Sequence, residues 1–206
     1  MSEARRLADS LRGAVRDERV LDAIAAVPRD RFVGEGERRA AYDNAALPIG
    51  YGQTISQPQV VARMLVMLRL RPDDRVLDIG TGSGYHAALL AKLAGHVWSV
   101  ERIPQLSRRA WTVLSELGIA NVSLVIGDGC AGLPEDAPFD AINVAAAAGD
   151  GVPAALEQQL AVGGRLIAPV GEEDQRLTLV IRRAGGLERR TLDPVRFVPL
   201  VPESRG

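Results

Sequence analysis

The chain has 206 residues, 47% hydrophobic and 25% charged, enough for one sizeable core and too short for two full-sized domains. A formal net charge of -1 gives no general attraction to nucleic acid or an anionic membrane, so a partner has to be recognised by a specific site. Cys130 is the single cysteine, His86 and His96 are the only histidines, and no run of about eighteen apolar residues is present; disulfide, zinc and membrane-spanning readings are set aside, and a soluble, cytoplasmic, metal-free protein, working as a monomer, is expected.

Val20, Ile24 and Val27 share a helical face over residues 16–27, and Pro28 supplies a stop. Periodicity fails from Phe32 to Gln57, where Gly34, Gly36, Pro48, Gly50 and Gly52 accumulate among Tyr42, Leu47, Ile49, Tyr51 and Ile55. A long irregular stretch with side chains that favour burial is expected to be an ordered loop over a cleft. Ser56 and Pro58 suit a helix start, and Val60, Val61, Met64, Leu65 and Leu68 follow at helical spacing up to Pro72.

Beyond Pro72 short apolar runs at 75–79, 97–100, 122–126, 141–144 and 165–170 alternate with helical patterns at 85–94, 104–117 and 152–160. That alternation predicts an α/β fold, a mostly parallel sheet covered on both faces. Runs at 177–182 and 192–200 with the turn residues Ala184, Gly185 and Gly186 between them are read as an antiparallel C-terminal edge. The organisation expected is one domain, with residues 1–57 a helical and loop extension and 58–206 the core.

The chemistry concentrates in Val76-Leu77-Asp78-Ile79-Gly80-Thr81-Gly82-Ser83-Gly84-Tyr85, an apolar strand entering a glycine turn and then a helix. Open parallel sheets bind ligands at the carboxyl ends of their strands, beside helix N-termini. The spacing G-x-G-x-G departs from the dinucleotide fingerprint G-x-G-x-x-G, and Asp78 suits an ammonium group better than a pyrophosphate. Glu101 ends the next strand, where a carboxylate can accept from two ribose hydroxyls, and Asp128 with Gly129 follows the third, suited to an adenine. Each acidic residue has a plainer reading: Asp78 as a turn cap, Glu101 as a solvated strand end, Asp128 as an Asx-turn residue. Together they describe an adenosine carrying a cationic amino acid.

These blocks resemble class I methyltransferases and, more narrowly, the protein-L-isoaspartate O-methyltransferase family. The resemblance also takes in Ala-Leu-Pro-Ile-Gly-Tyr-Gly-Gln-Thr-Ile-Ser-Gln-Pro at 46–58, Val-Glu-Arg-Ile at 100–103, Ala-Pro-Phe-Asp-Ala-Ile at 137–142, Gly-Gly-Arg-Leu-Ile-Ala-Pro-Val-Gly at 163–171 and Val-Arg-Phe-Val-Pro-Leu at 195–200. It implies a three-layer Rossmann-like fold and S-adenosyl-L-methionine as cofactor, leaving S-adenosyl-L-homocysteine. The acceptor it implies is an isoaspartyl carboxylate in a peptide or damaged protein. By resemblance Ser56 is the active-site serine, and Thr54, Ile55, Val144, Ala145, Ala146 and Val170 line the acceptor pocket. Asp78, Gly80, Thr81, Gly82, Ser83 and Gly84 form the cofactor loop, with Glu101, Arg102, Asp128 and Gly129 completing that site. The chain departs from the family pattern at His86, where bacterial members commonly carry glutamine, at Asp78, where many carry glutamate, and over 146–153, which lacks an early proline.

A carboxylate acceptor is ionised at neutral pH and needs no general base. Ser56 is then a positioning donor, although a serine ahead of Gln57 and Pro58 is also a good N-cap. His86 reads as a packing residue and Cys130 as a small buried hydrophobe. Three other readings stay open: methylation of an ordinary aspartate in a biosynthetic peptide, a nicotinamide-dependent oxidoreductase, and a cofactor-binding protein without catalysis.

Overall fold

A computed structural model describes residues 1–202. Five parallel strands run from one edge of a seven-stranded sheet of order β5-β4-β3-β6-β7-β8-β9: β3 (Arg75–Ile79), β4 (His96–Glu101), β5 (Val122–Ile126), β6 (Phe139–Val144) and β7 (Leu160–Val170). β8 (Arg176–Arg183) pairs antiparallel with β7, and β9 (Gly186–Pro194) pairs antiparallel with β8. The strand order reverses at β3, flanked by β4 on one side and β6 on the other. At such a switch point the loops leaving two adjacent strands diverge and open a crevice.

The longer helices cover one face, and a single short helix with connecting loops packs on the other. α4 (Tyr85–Leu93) is apolar all round, every residue except Lys92 being buried, because it is sandwiched between the sheet and the N-terminal extension rather than lying on the surface. α5 (Pro104–Glu116) and α3 (Pro58–Leu68) carry the usual single apolar stripe, and α6 (Ala154–Gln158) is only five residues long. The helix expected at 152–160 is therefore shorter than the pattern, and β7 starts earlier than the apolar run at 165 because Leu160 already pairs with Phe139.

The extension is more ordered than its sequence pattern shows. α1 (Glu3–Leu11), capped by Ser2, packs on α2 (Glu18–Ala26), capped by Asp17. Arg19 fastens this pair to the core by donating to the Leu70 carbonyl at 2.7 Å and the Leu93 carbonyl at 3.1 Å. Two 3-10 turns, Arg29–Phe32 and Glu35–Ala40, lead into a small hairpin of β1 (Leu47–Gly50) and β2 (Gln53–Ile55).

The expected tail strand at 192–200 needs correction. The hairpin partner of β8 is β9, which ends at Pro194, and Val195 to Leu200 instead turns back along the carboxyl edge of the sheet. The Ala147 amide donates to the Val198 carbonyl and the Leu200 amide to the Ala147 carbonyl, both at 2.8 Å, fixing that strap beside the crevice.

Candidate active site

The glycine turn leaves β3 at the switch point. Gly82 adopts φ 53°, a left-handed conformation that favours glycine, and its amide donates to Glu101 Oε2 at 2.8 Å. Glu101 Oε1 accepts from the Ile103 amide at 2.9 Å, so one buried carboxylate joins the turn to the end of β4. Ala145, just past β6, donates its amide to the Ile79 carbonyl at 2.8 Å and closes the other side.

Between these walls lies an open cleft. Gly80, Gly82, Glu101, Arg102, Gly129, Ala145 and Ala146 line it, together with Gln53 and Thr54 from the hairpin and Val198 to Val201 from the strap. A smaller hollow shares Thr54, Gly80, Gly82 and Ala145 with the cleft and is completed by Ile55, Ser56, Thr81, Ser83, Tyr85 and His86. Ser56 thus lines a hollow that also includes residues of the glycine turn.

The fit to a nucleoside bearing a cationic arm rests on three features. Glu101 puts a carboxylate on the wall with a second lone pair on each oxygen still available. A Cβ at Gly129 would stand 2.5 Å from Ile79 Cγ2, so only glycine keeps that wall thin. The backbone of the turn comes to the cavity surface at Gly80 and Gly82.

Five expected residues lie elsewhere. Asp78 is fully buried behind the turn, where its carboxylate accepts from Ser99 Oγ and Asn143 Nδ2, both at 2.7 Å; it does not line the cleft, so direct contact with a ligand ammonium is replaced by a hydrogen-bonded anchor of β3, β4 and β6. Ser99 Oγ lies 2.6 Å from Thr81 Oγ1, extending this network into the turn. Burial raises the Asp78 pKa to about 6, against the pull of those donors. Asp128 Oδ1 accepts from the Cys130 amide at 2.8 Å, the Asx-turn geometry, and Gly129 rather than Asp128 lines the cleft. Gly84 caps α4, Val144 is a core residue, and Val170 bridges to Ala148 away from the hollow.

The N-cap reading of Ser56 is overturned. α3 starts at Pro58, Gln57 is its cap residue, and no side-chain cap bond forms. Among the described residues the Ser56 hydroxyl makes no hydrogen bond, leaving its donor for the hollow.

Sequence reasoning missed the strap, because the 195–200 block was assigned to a strand, and the hairpin's Gln53, because its segment was read as an irregular loop. His86, read as packing, is indeed buried but also borders the hollow, with its pKa lowered to about 4 chiefly by burial. Among the described residues no cluster of His, Cys, Asp or Glu is placed to hold a metal, and no helix is long and apolar enough to cross a membrane.

Comparison with known proteins decides the family. The model of protein-L-isoaspartate(D-aspartate) O-methyltransferase matches residues 3–205. The chain belongs to the protein-L-isoaspartate(D-aspartate) O-methyltransferase family. It is 50% identical over 192 residues to the protein-L-isoaspartate O-methyltransferase of Vibrio atlanticus, covering 93% of this chain and 92% of that one. It is 57% identical over 190 residues to that of Anaeromyxobacter dehalogenans, covering 90% of each. A solved protein-L-isoaspartate O-methyltransferase superimposes with a TM-score of 0.87 at 30% identity, over 94% of this chain and 64% of that one. A Plasmodium falciparum structure described as this methyltransferase, solved with S-adenosyl-L-homocysteine, gives 0.85 at 27% identity over 98% and 99%. The oxidoreductase reading falls with this membership, and the mostly parallel sheet with its antiparallel edge is the family's fold.

Proposed function

We propose that the chain transfers the methyl group of S-adenosyl-L-methionine to the free carboxylate of L-isoaspartyl residues in damaged proteins or peptides, with Ser56 as the group that positions the acceptor. The carrying observation is that Ser56, unused as a helix cap, lines a hollow that shares Thr54, Gly80, Gly82 and Ala145 with the glycine-turn cleft. Family membership with relatives at 50% and 57% identity supports the reaction.

Bound S-adenosyl-L-methionine supplies an electrophilic sulfonium methyl. Glu101 is placed to accept hydrogen bonds from the ribose, and the turn from Gly80 to Ser83 to cradle the amino-acid arm, held in shape by the buried Asp78 network. The acceptor carboxylate is ionised at neutral pH, so no proton has to be removed. His86, with its pKa near 4, is neutral there and not required as a base. Ser56 donates to one carboxylate oxygen and leaves the other free to attack, and such orientation can contribute roughly 7 to 11 kcal/mol. Ile55, Ala145 and Ala146 supply an apolar surround that limits water. The working unit in this reading is a single chain, acting in the cytoplasm on damaged proteins or peptides.

The test is methyl incorporation from labelled S-adenosyl-L-methionine into paired peptides that differ only in an aspartyl or isoaspartyl linkage. Labelling of the isoaspartyl member supports the reading. Labelling confined to the aspartyl member transfers the chain to the biosynthetic alternative, and labelling of neither rejects both.

A further inference from the structure

Behind Ser56 lies a cation with no anion. Arg29 is fully buried in the first 3-10 turn, and no carboxylate pairs with it among the described residues. Its Nε donates to the Ala41 carbonyl at 2.9 Å, and its Nη2 to the carbonyls of Ser56 at 2.9 Å and Ala45 at 3.3 Å. Nη1 makes no well-aligned hydrogen bond among the described residues, although the guanidinium and the Tyr85 hydroxyl are close enough to interact. The guanidinium lies over the Tyr85 ring, 4.9 Å from its centre, and Tyr85 and His86 line the Ser56 hollow. The Tyr85 hydroxyl and His86 Nε2 are likewise buried without an aligned hydrogen bond. Burial lowers the Arg29 pKa to about 10, which leaves it a cation at neutral pH.

Carbonyl dipoles and a ring face solvate a cation without neutralising it, and a buried charge lacking a counter-ion is costly. The turn that carries Arg29 could have been anchored to three carbonyls by a neutral donor. A full positive charge directly behind the Ser56 main chain gains its compensation when an anion enters the hollow in front.

We propose that Arg29 sets acceptor specificity, its buried positive charge favouring an ionised carboxylate at Ser56 over a neutral group of the same shape. This deepens, and rests on, the methyltransferase reading. Arg29 does not touch the acceptor; it acts across the Ser56 backbone through a medium of low dielectric, where a charge is felt strongly over a few ångströms and is poorly screened by salt.

The test is calorimetric binding of two peptides to the full chain loaded with S-adenosyl-L-homocysteine, one isoaspartyl and the other its isoasparaginyl analogue bearing a free carboxamide. Wild type should prefer the carboxylate by about tenfold, and the preference should persist in about 1 M salt because Arg29 is shielded from counter-ions. Arg29→Lys, which keeps the charge but loses the fork, should retain the preference while turnover falls. Arg29→Met should reduce the preference to about twofold or less. A folded Arg29→Met protein that weakens both peptides equally and keeps the preference makes Arg29 a loop clamp and overturns the proposal. Should Arg29→Met fail to fold, the wild-type salt series decides, and a preference lost in 1 M salt overturns it. Methyl transfer to the isoaspartyl peptide is read separately, so its failure rejects the function and not the electrostatics.

Discussion

The Gly82 amide and the Glu101 carboxylate are joined at 2.8 Å, so the glycine turn and the end of β4 form one hydrogen-bonded wall. The carboxylate proposed to hold the ribose also shapes the glycine turn. Glu101→Ala should weaken S-adenosyl-L-homocysteine binding by about 10- to 100-fold, the size expected for losing charged hydrogen bonds. Calorimetry measures it, and an unchanged affinity would remove Glu101 from the site.

Ser56→Ala should leave cofactor affinity and the melting temperature close to wild type, since the hydroxyl bonds to nothing among the described residues. Turnover on an isoaspartyl peptide should fall by about 10- to 100-fold, the worth of one hydrogen bond to a charged oxygen. Unaltered turnover would reduce Ser56 to a spacer in the loop.

Gly129→Ala should be damaging in two ways. The added Cβ, 2.5 Å from Ile79 Cγ2, overpacks the core by about 1 to 3 kcal/mol and crowds the cleft wall. The melting temperature should drop by a few degrees and cofactor affinity should fall; a change in neither would mean that the wall yields freely.

Asp78 and His86 set up opposite pH dependences in the same interval. Asp78 has a folded pKa of about 6, above its ordinary value, so its contribution to stability is greatest in acid and is lost as pH rises toward 6. His86 has a folded pKa of about 4, below its ordinary value, so its contribution is complete near neutrality and is lost as pH falls from 6.5 toward 4. Each is worth roughly 3 kcal/mol, and in wild type the two largely offset each other. His86→Gln should therefore make the protein more stable toward pH 4 relative to pH 7, and Asp78→Asn should make it more acid-sensitive. Denaturant midpoints at several pH values test the pair, and parallel slopes in all three proteins would contradict it.

The parallel core was legible because its strands are continuous apolar runs and its glycine turn has a spacing of its own. α1 escaped notice, since its buried face of Ala4, Leu7, Ala8 and Leu11 is half alanine and gives little contrast against its charged residues. The β1 and β2 hairpin was hidden by Tyr51, Gly50 and Gly52, whose positive φ values make a turn inside an apparent loop. Asp78 shows a different limit: the spacing placed it at the right strand end, but alternation along β3 could not tell a carboxylate facing a ligand from one held by Ser99 and Asn143. Ser56 was placed beside the acceptor by resemblance and freed from the capping role by the position of Gln57. Arg29 gave no signal in the sequence, because its partners are backbone carbonyls contributed by residues 12 to 27 positions away.

The most direct test of the shared cleft is a crystal structure of the chain with S-adenosyl-L-homocysteine and an isoaspartyl peptide. The ribose should rest on Glu101, the sulfur should point toward the hollow, and the peptide carboxylate should accept a hydrogen bond from Ser56. A ligand bound away from the glycine turn, or a carboxylate on the far side of the hairpin from Ser56, would contradict the account.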